Sequence, residues 1–198
     1  MATTAAPPIS RLRVPAEEEL PASVRAIFDA TRRSKGRVDN WSQAVSLGGD
    51  HFARLAAYFG PLLAPSGARL PWEERELIAT VVSAETGCSY CRLNHTHSLA
   101  AAFGGDVQTA LRVALDFREV EELTPRQRAL GELAAKIAVE PRAVEEADLD
   151  GLRAHGLDDE DLFEAIQLAS IFAALNRLSI VLAVRPDDAF FAIDGAAS

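Results

Sequence analysis

The chain has 198 residues, of which 48% are hydrophobic and 25% are charged. These values are typical of a folded protein and argue against wholesale disorder. The formal net charge is −9, which argues against a nucleic acid or an anionic membrane as a partner. Only two cysteines are present, Cys88 and Cys91. Two thiols are too few for the disulfide framework of a small secreted domain, so this pair indicates local chemistry.

The predicted elements are all helical. Stretches rich in Ala, Leu, Arg and Glu dominate, and no hairpin turn joins two alternating segments. In chain order, the helices are predicted over residues 21–33, 49–63, 71–86, 88–103, 106–115, 125–139, 144–155 and 159–184. The predicted fold class is therefore all-α.

Particular residues set these boundaries. Pro71 suits the first turn of a helix, and the acidic residues that follow it complement the positive end of the helix dipole. Gly87 is expected to end that helix, and Gly104 and Gly105 to end the next one. Asp106 is expected to cap the short helix that follows.

The chain is expected to form one helical domain over residues 16–185, between an extended N-terminal arm (1–15) and a C-terminal tail (186–198). A weak internal repeat relates two helical hairpins, residues 70–104 and 123–157. It rests on three positions of the first hairpin that match the second in type and spacing: Leu70 with Leu123, Arg75 with Arg128, and Leu77 with Leu130. The first hairpin is predicted to carry the chemistry and the second to serve as scaffold.

The most apolar stretch, residues 162–184, is long enough to cross a bilayer. Asn176 and Arg177 lie within it, and a charged arginine at that depth is costly in lipid. We therefore predict a buried core helix, and a cytoplasmic protein, since the N-terminus has no apolar signal-peptide core. Asn176 and Arg177 would form a buried polar pair, bound to an acid across a subunit interface or to a substrate carboxylate.

One helix face brings together the residues that suit redox chemistry. On a helix that starts near Cys88, the spacing puts Cys88, Cys91 and His95 on one side. A helix N-terminus and a nearby imidazole both favour the thiolate, which is the nucleophilic form of cysteine. Glu76, on the preceding helix, is placed to orient the imidazole or to pass on its proton. A second thiol three residues away can convert a sulfenic acid into a disulfide.

Two simpler interpretations of the cysteines remain open. A Cys-x-x-Cys pair can be half of a zinc site, but His97 would face away from Cys88 on the helix and no second Cys/His pair is present. The cysteines could also act as small buried hydrophobic residues.

The spacing Glu76-x11-Cys88-x2-Cys91-x3-His95 resembles the signature of the alkylhydroperoxidase D-like (AhpD-like), carboxymuconolactone decarboxylase superfamily. Segments 123–130, 154–162 and 176–178 resemble its branch of peroxidase-related enzymes, so the resemblance covers roughly residues 20–185. It implies an all-helical fold of paired helical repeats, and homo-oligomers from dimers to hexamers.

The resemblance also implies a mechanism, a thiol peroxidase cycle acting on hydrogen or organic peroxides. Cys91 would attack the peroxide and Cys88 would resolve the product, while His95 takes the proton of Cys91 with Glu76 behind it. No bound cofactor is implied. The reductant would be an external dithiol, such as a lipoyl- or thioredoxin-type protein.

The residues alone leave the order of attack open. Cys88 is nearer the helix N-terminus and is expected to be the more exposed thiol, whereas Cys91 lies one turn before the base. The best-studied members carry a second histidine between the cysteines, and Tyr90 stands there in this chain. Tyr90 is expected either to donate a supporting hydrogen bond or only to pack beside the pair.

Three other functions remain as alternatives. The protein could reduce disulfides in a partner of the peroxiredoxin type without its own peroxide activity. It could catalyse decarboxylation or ring chemistry, although that branch typically lacks the paired thiols. It could also be a non-catalytic helical scaffold.

Overall fold

The computed structural model describes residues 7–191, in which nine α-helices and no strand are present. The helices are α1 Ala22–Lys35, α2 Asn40–Val45, α3 Asp50–Leu63, α4 Trp72–Glu85, α5 Ser89–Ala102, α6 Val107–Asp116, α7 Pro125–Val139, α8 Glu146–Ala154 and α9 Asp159–Leu182. Short 3-10 turns cover Glu17–Glu19, Ser46–Gly48, Phe117–Glu119, Pro141–Ala143 and Asp188–Phe191. The all-α prediction is confirmed.

Most helix ends follow local capping chemistry. The side chain of Asp106 accepts the backbone N–H of Thr109 at 3.0 Å and so caps α6 as predicted. Gly87 has a φ of 71°, the left-handed conformation that ends α4 without steric cost. The sequence analysis missed α2, although Asp39 caps it by accepting from the N–H of Ser42. Six residues are too few for a helical periodicity to show.

The chain divides into two compact units. The first combines the N-terminal part, through Tyr58, with the segment that begins at Ser179. In it, the backbone N–H of Arg11 donates to the carbonyl of Leu182 at 2.8 Å, and the N–H of Arg185 donates to that of Ile9 at 3.0 Å. The predicted arm is therefore hydrogen-bonded to the chain around the end of α9. Its residues 1–6, and residues 192–198 of the predicted tail, lie outside the described part.

The first unit also has an aromatic and polar interior of its own. Trp41 packs edge-on against Phe52, with ring centroids 5.9 Å apart, and its indole N–H donates to the Ser179 hydroxyl at 2.9 Å. The buried carboxylate of Asp187 accepts the backbone N–H of Asn40 at 3.1 Å. This contact ties the C-terminal segment to the start of α2.

The second unit, Phe59–Leu178, is built around α4. Residues 74–83 of this helix are all buried, so α4 is enclosed on every side for almost three turns. The fully buried Arg75 donates to carbonyls of the end of α3 and of the loop that follows it, at 2.9 Å for Leu70 and 2.7 Å for both Leu62 and Ala64. A buried guanidinium thereby fixes the chain that leads into α4.

Two further contacts hold the start of α4. The carboxylate of Glu164, on α9, accepts the backbone N–H groups of Arg69 and Leu70 at 2.9 and 3.0 Å. The buried Glu74 accepts both arms of the Arg126 guanidinium at 2.7 and 2.8 Å. This bidentate pair joins α4 to α7 and raises the pKa of the Arg126 guanidinium.

The long helix α9 passes a length and composition test for a membrane span, and half of its most apolar window is buried within the fold. A core helix passes the same test, which agrees with the predicted role. The prediction that Asn176 and Arg177 are both buried is correct for Asn176 and wrong for Arg177, which is exposed. Arg177 donates to the carbonyls of Ala173 and Ala138, at 2.8 and 3.1 Å.

Candidate functional site

A buried acid–imidazole pair joins α4 to α5. The Oε2 atom of Glu76 lies 2.9 Å from Nδ1 of His95, and the two side chains are only 4% and 8% exposed. A buried carboxylate is costly unless it has a hydrogen-bonding partner, and this contact supplies one. The spacing analysis expected Glu76 to approach His95, and the structure brings them together.

The pair fixes the role of each imidazole nitrogen. An ionised carboxylate can only accept a hydrogen bond, so with Glu76 ionised Nδ1 of His95 would be the donor and Nε2 would be left as the acceptor. Phe172, on α9, packs edge-on against the ring with centroids 4.7 Å apart. The imidazole is thus held both by a hydrogen bond and by packing, with one basic nitrogen available.

The two cysteines are joined at the start of α5. Cys88 is the N-cap residue of this helix, and it forms a disulfide with Cys91 across a Cα–Cα distance of 5.3 Å. The sulfur of Cys88 also accepts the backbone N–H of Cys91 at 3.3 Å. A sulfur at an N-cap faces the positive end of the helix dipole, which favours a thiolate when the pair is reduced.

The turn between α4 and α5 explains how the disulfide reaches this position. After the left-handed Gly87, the N–H of Cys88 donates to the carbonyl of Ser83 at 3.1 Å. The connection is therefore tight, and it places Cys88 directly against the end of α4. His95 follows Cys91 by four residues, so the disulfide and the imidazole lie on one face of α5, one turn apart.

Exposure does not favour Cys88, contrary to the sequence-based expectation. Cys88 is 2% exposed and Cys91 is 6% exposed. The expectation was wrong because an N-cap is exposed only when nothing packs over the helix end, whereas here α4 and its turn lie against it. Tyr90, between the cysteines, is also buried. His97 is exposed, as expected for the opposite side of α5.

The sequence analysis predicted that Asn176 is buried, but it missed two buried polar residues of α4 near this site. Thr80 and Ser83 follow Glu76 along one face of α4, and both are fully buried. Asn176, from α9, donates its amide Nδ2 to the hydroxyls of Ser83 and Thr86, at 3.2 and 3.0 Å. The i, i+4, i+7 spacing of Glu76, Thr80 and Ser83 was the signal that could have revealed them.

Metal binding has no preformed centre in the described part of the chain. Across residues 7–191, no group of three or more His, Cys, Asp or Glu side chains is arranged to hold a metal ion.

Comparison with known proteins identifies the family. Residues 49–111, which contain Glu76, Cys88, Cys91 and His95, match the carboxymuconolactone decarboxylase family. The structure is also similar to an uncharacterized peroxidase-related protein from Ralstonia eutropha JMP134, described as an alkylhydroperoxidase AhpD core. The two are 32% identical, the match covers 94% of this chain and 96% of the other, and the TM-score is 0.87. The chain belongs to the AhpD-like carboxymuconolactone decarboxylase superfamily.

Other solved structures share the fold. An uncharacterized peroxidase-related protein from Silicibacter sp. TM1040 is 28% identical over 96% of this chain and 97% of its own, with a TM-score of 0.84. The debrominase Bmp8, solved in complex with 2,3,4-tribromopyrrole, is 18% identical over 92% of this chain and 96% of its own, with a TM-score of 0.75. No curated protein matches the chain significantly in sequence. Family membership is thus shown, while the roles of the four site residues remain predictions.

Proposed function

We propose that this AhpD-like protein is a thiol peroxidase that reduces hydrogen or organic peroxides through Cys91 and Cys88. One arrangement carries the proposal: a disulfide at the N-terminus of α5, one turn from an imidazole that is hydrogen-bonded to a buried carboxylate. A thiolate nucleophile, a base and a group that orients the base are the parts that such a reaction needs.

In the proposed reaction, the reduced Cys91 loses its proton to Nε2 of His95. The thiolate attacks one peroxide oxygen, the O–O bond breaks, and the leaving alkoxide or hydroxide takes up a proton. The products are a sulfenic acid on Cys91 and an alcohol or water. Cys88 then attacks the sulfenic sulfur, which forms the disulfide and releases water.

We propose a separate role for each cysteine, and the positions of the two residues on α5 support this division. Cys91 lies one turn before His95, so the base serves this thiol first. Cys88 is held at the N-cap, where the helix dipole and the N–H of Cys91 favour its thiolate. A stabilised thiolate three residues away suits the resolving step, and it also suits the leaving group when the disulfide is reduced again.

Glu76 has a positioning role in this scheme. By accepting the hydrogen of Nδ1 it keeps Nε2 basic and stabilises the imidazolium that forms during proton transfer. Tyr90 is buried between the two cysteines and is proposed to support proton transfer there.

The cycle closes with an external dithiol, which transfers two electrons to the disulfide and is itself oxidised to a disulfide. We propose a lipoyl- or thioredoxin-type protein as this donor, with no bound cofactor. We further propose that the protein works in the cytoplasm as an antioxidant homo-oligomer.

Peroxide consumption in the presence of a small dithiol, such as dihydrolipoamide, tests the proposal directly. The wild type should consume peroxide catalytically, and Cys91→Ser should lose this activity completely. Cys88→Ser should accumulate a sulfenic acid on Cys91 after one equivalent of peroxide, which dimedone labelling and peptide mapping would detect. Full turnover by Cys91→Ser would overturn the assignment.

Other results would select the alternative functions. Fast disulfide exchange with a protein substrate, without peroxide consumption, would indicate a disulfide reductase. A small-acid activity that survives alkylation of both thiols would indicate decarboxylase-type chemistry. Bound zinc, with neither thiol free to react, would indicate a non-catalytic scaffold.

A further inference from the structure

Two buried polar atoms beside the proposed relay have no hydrogen-bonding partner. They are the hydroxyl oxygen of Thr80 and the amide oxygen Oδ1 of Asn176. Both residues are 0% exposed. A buried polar group without a partner destabilises a fold, so two in one region indicate that something absent from the protein chain itself binds them.

The assignment of the Asn176 amide follows from its neighbours. The Ser83 hydroxyl donates its proton to the carbonyl of Ala79 at 2.7 Å, and the Thr86 hydroxyl donates to that of Val82 at 2.7 Å. Both hydroxyls therefore have only acceptor positions left, which an –NH2 group fits and an amide oxygen does not. Nδ2 faces them, and Oδ1 is left on the other side of the amide as an acceptor without a donor.

Helical geometry places Thr80 between this amide and the acid–imidazole pair. Thr80 follows Glu76 by four residues and precedes Ser83 by three, and such neighbours have Cβ atoms about 5–6 Å apart. Ser83 already contacts Asn176, and Phe172, one turn before Asn176 on α9, contacts the His95 ring. Along α4, Thr80 therefore lies between Glu76 and Ser83, the residue that binds Asn176.

We infer that Thr80 and Asn176 hold an internal water molecule that connects to Glu76. The water donates one proton to Oδ1 of Asn176 and one to the Glu76 carboxylate, and it accepts the hydroxyl proton of Thr80. Three partners are the usual number for a buried water. Thr80 and Asn176 are then positioning residues, because they act on the thiols only through Glu76 and His95.

Comparison with the α7–α8 hairpin, the second copy of the predicted repeat, favours a functional role for the polar side chains of Glu76 and Thr80 over a structural one. At the matched positions, Glu76 and Thr80 are replaced by Ala129 and Leu133 in α7. Leu133 is buried like Thr80, so this position of the scaffold accepts an apolar side chain without difficulty. The hydroxyl is present in the α4–α5 hairpin, which carries the cysteines, and is missing from the matched position of the α7–α8 hairpin, which has none.

The proposed water would influence the ionisation of the Glu76 carboxylate. A hydrogen bond donated to the Glu76 carboxylate favours its ionised form, and the ionised carboxylate stabilises the imidazolium that accompanies the thiolate. Without the water, thiolate formation should require a higher pH. On α4, the other charged groups nearby are Glu74, which is bound by Arg126, and Arg75, which is bound by backbone carbonyls. The titratable residues nearby on α5 are Cys88, Tyr90, Cys91 and His95. On α9, Glu164 is bound by the N–H groups of Arg69 and Leu70, and Phe172 and Asn176 do not titrate.

The inference rests on the proposed function, and its test does not require peroxide turnover. The reduced full-length protein is alkylated with iodoacetamide between about pH 5 and 10, and the rate reports the thiolate fraction. Thr80→Val keeps the shape and removes the hydroxyl. We expect its alkylation midpoint to rise by at least about half a pH unit, with a several-fold lower rate near neutral pH. Thr80→Ser, which keeps a hydroxyl, should restore the wild-type profile.

Thr96→Val is a matched control, because it also removes a buried helical hydroxyl, one that donates to the carbonyl of Arg92 at 2.7 Å on α5. It should leave the midpoint unchanged. The inference is wrong if Thr80→Val has the wild-type alkylation midpoint and is at least as stable as the wild type. Such a result would mean that the Thr80 hydroxyl is simply an unpartnered buried group, whose removal costs no stability. A midpoint shift in a protein without peroxide turnover would refute the proposed function and keep the inference.

A high-resolution crystal structure gives a second, direct test that needs no variant. It should show a water molecule within hydrogen-bonding distance of both Thr80 Oγ1 and Asn176 Oδ1. An empty space between these atoms would overturn the inference.

Discussion

The α4–α5 pair and the α7–α8 pair are both helical hairpins, and they use related residues for different purposes. Arg75 and Arg128 occupy matched positions, and each donates its guanidinium to carbonyls of the loop before its own helix. In α4 the buried positions also include Glu76, Thr80 and Ser83, whereas the buried residues of α7 are all apolar or glycine.

We interpret this difference as a stability cost that the proposed chemistry of the α4–α5 pair places on the fold. Buried polar groups destabilise unless they are bound, and α4 buries Glu76, Thr80 and Ser83 in addition to the Glu74 and Arg75 that hold its start. The α7–α8 pair places its polar contacts near the surface instead, for example between Lys136 and Asp148 at 2.7 Å. The internal repeat and the domain limits of 16–185 stay predictions. The similar contacts of the two matched arginines favour the repeat.

The largest expected effect contrasts His95 with its matched residue, Asp148. His95→Ala should lower peroxide turnover by at least about 100-fold, because it removes the proposed general base. Asp148→Ala should leave turnover unchanged, because that side chain contacts only Lys136 and the backbone N–H of Glu145, both within the α7–α8 hairpin. Steady-state peroxide consumption with a dithiol donor measures both. An equal loss in the two folded variants would end the distinction between an active and a scaffold hairpin.

The matched arginines should differ in their contribution to stability. Arg75→Met should lower the free energy of unfolding by about 3 kcal/mol, because the substitution removes a fully buried guanidinium and leaves its part-buried carbonyl acceptors without their charged donor. Arg128→Met should cost about 1 kcal/mol, because its loop carbonyls are closer to water. Urea unfolding of the two variants compares them. Equal costs would mean that burial does not separate the two roles.

Two glycines of the scaffold hairpin should respond in opposite directions. A Cβ at Gly131 would lie 2.6 Å from the ring of Phe117, which is itself buried. Gly131→Ala should therefore destabilise by about 1–3 kcal/mol through overpacking. Gly151, in α8, has no atom within 4 Å of its would-be Cβ, so Gly151→Ala should stabilise by about 0.5–1 kcal/mol. Thermal unfolding measures both, and a stabilising Gly131→Ala would show that the Phe117 ring can move.

The smallest expected effect concerns Asp148 and pH. The pKa of its carboxyl is held below the usual range because the N–H of Glu145 and the ammonium of Lys136 hydrogen-bond to it. A lowered pKa gives a stabilisation that is present above the ordinary aspartate value of about 3.9 and is lost as the pH falls through the folded-state value. The stability difference between wild type and Asp148→Asn should therefore be constant at neutral pH and shrink on acidification. Urea titrations at a series of pH values would show it, and a difference that grows in acid would contradict this account.

Much of the fold was predictable from local signals. Pro71, Gly87 and Asp106 mark helix ends by backbone and capping chemistry, which depends on neighbouring residues alone, and the predicted boundaries there are accurate within two residues. The α2 helix was missed because it is too short for a periodic pattern. The exposure of Cys88 was misjudged because it depends on which element packs over the helix end, and no local pattern contains that information.

The sequence by itself determined the all-α class, the family signature and the four residues that suit thiol chemistry, because each depends on residue type and on spacing along one chain segment. Only the tertiary structure decided that the Glu76 carboxylate reaches His95, that Asn176 is buried while Arg177 is not, and that Thr80 lacks a partner. These facts depend on how α4, α5 and α9 pack against one another. Packing brings together residues that are far apart in the chain, and it determines which polar atoms lose their contact with water.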